Sequence, residues 1–505
     1  MAQAALKAWP TGVKGKKNLP PLTGDKLVRE CGLPIAELAV DAADVQGLVF
    51  RGYGALPECC YPLLRIEEPE RGRAFVRAIV DRVSRGVPAA RTVAVQIAFT
   101  SLGLSALGLP QSILQQFSRP FLEGMVGAHR SRFLGDTGES SPKRWEWGGP
   151  STPPVHVLLM LFAESAPRLE ELLAEMRRTW EAHGLSEIRI LRTNPALLGK
   201  EHFGFADGIS QPAIEGYHPV SSRLHLVKPG EFLLGYVNEY GLYTERPLVE
   251  AALDPFGSLP LDVEGSPRRD LGRNGTYLVF RQLRQNVVAF RETLDALTRN
   301  PDGSPNRQAR EYLAARMVGR WPSGASLVEA PHGDDPTKAR NNLFRYHHED
   351  RDGLKCPIGA HVRRANPRDA LAPHPGSERS LEVNRRHRLL RRGRTYGPEL
   401  APDAVDGEDR GLMFIALNAN IVRQFEFVQH SWLVDPRFNG LYGEADPIVG
   451  MDEQNAFTAT IDPVPVRCTG LPRFVTVVGG AYFFMPGIRA LRFLGRLPTD
   501  TKASS

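Results

Sequence analysis

Apolar and polar positions along the chain alternate in two recurring rhythms. DVQGLVFRGYG from position 44 predicts a strand closed by Gly. Residues 62–85 predict a short strand and then an amphipathic helix near Pro69–Arg85. RTVAVQIAFTSLGLSALGL (91–109) predicts a second strand followed by a helix. VHVLLMLFAES (155–165) predicts a third strand, leading into the helix PRLEELLAEMRRTWEAHG (167–184). Ser165 is its candidate N-cap, Pro167 falls early in it, and Gly184 stops it. SEIRILRTNP then returns to strand. Two successive β-α-β units of this kind predict a ferredoxin-like α+β arrangement.

The second half repeats the theme. GTYLVFRQLRQNVVAF (275–290) begins as a strand and leads into a helix, and GLMFIALNANI (411–421) is strand-like. IVRQFEFVQHSWL (421–433) is helix-like, and RFVTVVGGAYFFMPG (473–487) predicts paired strands around Gly479–Gly480. The expected organisation is an extension over 1–42, a ferredoxin-like half over 43–220 and a loop-rich insertion over 221–269. A second ferredoxin-like half over 270–495 and a tail over 496–505 complete it. The stretch 329–353 predicts a further loop insertion.

Composition narrows the class. Apolar residues are 42% and charged residues 24% of 505, which excludes wholesale disorder and leaves ample length for a core. The 48 Gly and 41 Pro predict many turns and long loops, not a helix bundle. A net charge of +6 is small for this length and does not by itself predict nucleic-acid binding. The cysteines (Cys31, Cys59, Cys60, Cys356, Cys468) are few, odd in number and lack a CxxC pair. A reducing compartment is the simpler expectation. The N-terminus has no secretory pattern, and the longest apolar run, Val157 to Ala163, is too short to span a bilayer. These features predict a soluble cytoplasmic protein without a membrane partner.

Three segments carry candidate chemistry. EHFGFADGISQPAIEGY (201–217) sets Asp207 between glycines, where a carboxylate can closely approach a ligand, although an Asp-Gly pair alone is most often a turn. KCPIGAHVRRANPRDA (355–370) carries His361, followed by Arg363, Arg364 and Arg368. A lone His is most often structural. NRRHRLLRRGRTYGPE (384–399) holds six Arg and one His within Arg385–Arg394. That run is a solvated basic face or a nucleic-acid patch, but no aromatics interleave with it. There is no P-loop and no HExxH.

Taken together, and in this order, the three segments resemble the dye-decolorizing (DyP-type) peroxidase family. GFADGISQP carries the family's GxxDG motif, CPIGAHVRRANPR resembles its proximal-histidine segment, and HRLLRRGRTYG its distal-arginine segment. The resemblance spans roughly 43–495. It implies two ferredoxin-like halves of the dimeric α+β barrel type, with one haem b per chain held mainly by the C-terminal half. It further implies His361 as proximal iron ligand, Asp207 as acid–base residue and Arg391 as distal arginine and propionate anchor, with Gly204, Phe205 and Gly208 of the motif loop among the cofactor-binding residues. Glu426 is the expected carboxylate behind His361, and Leu412 and Phe414 are expected to line the distal side. The other arginines near 363–394 are expected to pair with haem propionates.

The implied activity is reduction of hydrogen peroxide with oxidation of dyes, phenols and other aromatic donors, by a monomer or homodimer. An unperturbed aspartate titrates near ~3.9, so an Asp base implies activity favouring acidic pH. Trp321, Tyr396 and Tyr482 are candidate electron-relay sites by motif proximity, and packing residues otherwise. Thr395 and Gly393 depart from the pattern, standing where many relatives carry Pro and some carry Asn. The competing readings are a haem-handling protein with little turnover, against which the Asp207/Arg391 pair speaks, and a nucleic-acid binder using 385–394.

Overall fold

The computed structural model describes residues 39–197, 199–218, 223–402, 404–450, 455–461 and 464–497. Nearly all of the expected N-terminal extension and most of the tail lie outside the described residues.

Four strands form the first half: β1 (Glu58–Ile66), β2 (Val93–Phe99), β3 (Val157–Ala163) and β4 (Leu185–Arg192). They are antiparallel neighbours in the order β4-β1-β3-β2. Helix α1 (Pro69–Ile79) follows β1 and helix α2 (Ala166–Ala182) follows β3. Both begin with Pro in the first turn, where a missing N–H costs nothing. Ser165 precedes α2 but makes no side-chain capping bond. Leu169, Leu172, Leu173, Met176 and Trp180 recur at helical spacing and are buried. They pack with Phe75, Val76 and Ile79 of α1 against Cys60, Leu64, Val95, Ile97, Leu159 and Leu161 of the strands.

The second half repeats the order with β5 (Thr276–Gln285), β6 (Leu390–Arg391) continued by β7 (Arg394–Tyr396), β8 (Gly411–Asn418) and, after the hairpin β9 (Phe457–Ile461) and β10 (Val464–Cys468), β11 (Val475–Met485). The path β6-β8-β5-β11 joins β2 through the pair Phe484–Phe99. Just past β4, Asn194 N–H donates to Thr395 O of β7 at 2.8 Å, so the far end of the path returns to its start. The enclosed faces of both halves share one apolar core, including Tyr61, Leu158, Met160, Phe280, Ile415 and Phe483. The fold is α+β with two ferredoxin-like halves. The four described cysteines are free and buried. Among the described residues, no helix is long and apolar enough to cross a membrane.

Two expected elements differ. Residues 44–54 form a 3-10 turn at Gly47–Val49 instead of a strand. Gln46 there bonds the backbone of Ile97 and Pro486 through its side chain, and the segment keeps only an isolated bridge to Arg85. Residues 473–487 contain one continuous strand with a bulge between Val477 and Gly479, not a hairpin. Gly479 admits Trp147, since a Cβ there would lie 2.3 Å from its indole nitrogen.

Candidate active site

The outer face of the second half is not fully covered. Side chains alternate across a strand, so Arg281, Leu283 and Gln285 of β5 point away from the enclosed core. Register sets Leu283 beside Leu412 of β8 and Val477 of β11, and Arg281 beside Phe414. These residues wall a cavity of about 1760 Å³, counted out to its open mouth. The same cavity is lined by His361, Asp207, Arg391, Phe205 and Gly208. The fold therefore brings the three motif segments into one space. Gly204 is the motif residue that does not line it.

His361 opens the short helix α3 (His361–Ala365). Its Nδ1 is 2.9 Å from Asp446 Oδ2, and Nε2 has no hydrogen-bond partner among the described residues. Burial disfavours the imidazolium, but the Asp446 carboxylate outweighs it and raises the proton affinity of the ring above its ordinary value. Burial likewise opposes ionisation of Asp446, yet His361 and Arg364 hold its carboxyl below the usual range. Its second oxygen accepts the N–H groups of Ile448 and Val449 at 2.9 and 3.0 Å, which fixes its orientation.

The carboxylate behind His361 is thus Asp446, a correction of the expectation for Glu426. Glu426 sits in a π-helical segment (Val422–Glu426) and is buried with Arg130, its ion partner. It also accepts the Tyr482 hydroxyl at 2.7 Å. Asp446 lies 85 positions from His361 in a loop. Only the Asp-Pro pair in GEADPIVG marked it as a turn.

Asp207 and Arg391 form an ion pair, Oδ1 to Nη1 at 3.3 Å, with both side chains about one-third exposed. Arg391 lies on β6, and its N–H donates to Gln211 Oε1 at 3.0 Å. Around Asp207, residues 199–207 form a tight ribbon. Asp207 N–H donates to Gly199 O, Glu201 N–H to Phe205 O and Gly204 N–H to Glu201 O, each at 2.9 Å. Gly204 takes φ +101 and Gly208 φ +76, a conformation that disfavours side chains. Phe205 is buried against Phe290, Leu313 and Phe474. The second half grips this loop: Asn342 donates to Ile209 O and Arg388 to Ser210 O.

Sequence reasoning missed Glu201, which also lines the cavity. Its carboxylate accepts N–H of Phe203 and Phe205 at 2.8 and 2.9 Å and the Gln285 amide at 2.6 Å. Burial pushes its carboxyl up to about 6.

The basic run is no solvated face. Arg392 donates to Leu48 O and Val49 O, and Arg394 to Gly52 O and Tyr53 O. Arg363, Arg364 and Arg368 are buried and spend their N–H groups largely on backbone carbonyls, which corrects their expected role with propionates. Arg388 differs. It lines the cavity, has no carboxylate partner among the described residues, and burial lowers its pKa to about 9.

Trp321, Tyr396 and Tyr482 are 3%, 6% and 2% exposed, so none is a surface site. Their polar atoms bond Ala330 O, Asp409 and Glu426, and they belong to the packing.

No family model matches the chain. It is 30% identical over 429 residues to dye-decolorizing peroxidase msp1 of Mycetinis scorodonius, covering 79% of this chain and 76% of that protein. It is 28% identical over 510 residues to a dye-decolorizing peroxidase of Auricularia auricula-judae, covering 95% and 90%. A solved structure of a dye-decolorizing peroxidase from that fungus superposes with TM-score 0.73 at 25% identity, covering 90% of this chain and 100% of that one. An ancestral D-type dye-decolorizing peroxidase gives TM-score 0.72 at 27% identity, covering 90% and 99%. With this fold, these relatives and one cavity lined by the three motif segments, the chain belongs to the dye-decolorizing peroxidase family of haem enzymes.

Proposed function

We propose that this enzyme binds one haem b in the cavity and reduces hydrogen peroxide there, oxidising dyes, phenols and other aromatic donors. The observation that carries this is the Asp207–Arg391 pair sharing one cavity with the His361–Asp446 pair. The residues fit haem by their chemistry. Leu283, Leu412, Phe414 and Val477 offer an apolar wall to a macrocycle. Arg388, a buried cation with no carboxylate partner among the described residues, suits a propionate. His361 would hold the iron through Nε2, with Asp446 fixing the tautomer and adding basicity to the ring. When bound, the haem supplies the electrons that reduce peroxide and recovers them from the donors.

The chain's own groups do the rest. Asp207 would take a proton from the retained oxygen of peroxide and return it to the departing oxygen, so that the departing oxygen leaves as water. Arg391 stabilises negative charge on the departing oxygen and holds Asp207 in place. Asp207→Asn and Arg391→Leu, made separately and loaded with haem, test the assignment. Each is expected to slow peroxide consumption by about 10²–10⁴-fold while haem remains bound. If neither slows it, the proposal fails.

A further inference from the structure

Asp207 sits at the base of a ribbon whose register decides where its carboxylate points. Lys200 bridges Ala206, Glu201 N–H meets Phe205 O, and Asp207 N–H meets Gly199 O. Side chains alternate across such a ribbon, so a slip of one residue would turn Asp207 away from the cavity. A five-residue turn containing glycine is poorly suited to holding its register unaided. Glu201 supplies what the turn lacks. Its two oxygens collect Phe203 N–H, Phe205 N–H and the Gln285 amide, tying both arms of the ribbon to strand β5.

We propose that Glu201 is a positioning residue for Asp207, locking the ribbon's register and with it the separation of Asp207 from Arg391. The inference rests on the acid–base reading of Asp207. A buried carboxylate in this wall is retained at a cost, since burial disfavours its charge. The three donors directed at it offset that cost only in this register. No proton transfer to the substrate is assigned to Glu201.

A double-mutant cycle on the haem-loaded enzyme tests the idea. Glu201→Gln keeps the size but turns an acceptor into a donor facing a backbone N–H. It is expected to lower the second-order rate with peroxide about tenfold, leaving the haem content unchanged. In the Asp207→Asn background the same change is expected to have less than about a twofold effect, because a positioning residue acts only through the group it positions. Hydrogen exchange of a peptide spanning 201–208 is expected to quicken in Glu201→Gln. Gln285→Met removes one donor without altering a residue of the ribbon, and is expected to give a smaller loss that also vanishes with Asp207→Asn. It serves as the measure if Glu201→Gln does not fold. Equal losses in both backgrounds, or wild-type rates in the variants, would overturn the inference. An Asp207→Asn enzyme as fast as wild type would instead bring down the acid–base reading, and this inference with it.

Discussion

The two halves share one strand order and put it to different uses. In the first half, the crossovers 67–92 and 164–184 are short, and α1 and α2 lie directly on the sheet. In the second half, the matching crossovers 286–389 and 419–474 are long. They arch over the sheet and leave the cavity between. The first of them carries Arg320, His361 and Arg388, and the second carries Phe425, Asp446 and Ile448. The crossovers thus supply His361, Asp446 and much of the cavity wall, while Asp207 enters from the linker between the halves and Arg391 from strand β6. Strand order is common to both halves, and function resides in what is set upon it.

If one half is filled by packing and the other by a ligand, truncation should cost them unequally. Leu172→Ala, in α2, is expected to lose ~2–5 kcal/mol, whereas Leu412→Ala on the cavity wall should lose under about 1 kcal/mol in the haem-free protein. Urea titration measures both, and equal losses would break the comparison.

A second, slightly smaller effect tests how the two long crossovers are joined. His387, at the end of the first, stacks on Phe427 of the second at 4.1 Å between ring centroids. Burial pushes its imidazole down to about 4. An unfolded histidine titrates near ~6.5. Below that value the unfolded chain takes up the proton first, so stability falls as pH drops from about 6.5 through 4, by up to ~3 kcal/mol. His387→Gln should flatten that part of the stability–pH curve relative to wild type. A parallel curve would remove His387 from the account.

The smallest effect concerns the contact between the halves. Trp147 lies over Gly479 and donates to Gln282 Oε1 at 2.9 Å. Gly479→Ala is expected to cost about 1–3 kcal/mol by overpacking, read as a lowered Tm. An unchanged Tm would mean that Trp147 moves aside freely.

The sequence was informative where chemistry and repetition coincide. Strands such as Val157–Ala163, and helices such as Ala166–Ala182 with its early Pro and closing Gly184, follow local rules of burial and turn formation. The motif residues Asp207, His361 and Arg391 stood out by resemblance. Glu426 misled because RQFEF places a carboxylate close to expected site residues, while its real partners, Arg130 and Tyr482, lie on distant elements. Asp446 was hidden for the same reason, since a partner 85 residues away leaves no local pattern. The arginine run looked solvated because sequence gives no hint that its donors would find carbonyls of residues 48–56. Glu201 was masked by its own motif, whose glycines and Asp207 drew the functional reading.

The central claim is that this cavity binds haem through His361 and turns over peroxide. It is tested most directly by the absorption spectrum of the haem-reconstituted chain before and after one equivalent of hydrogen peroxide. A ferric Soret band that His361→Ala abolishes, that changes on adding peroxide and that returns on adding a phenol is the predicted result. A Soret band unmoved by peroxide, or one that survives unchanged in His361→Ala, would contradict it.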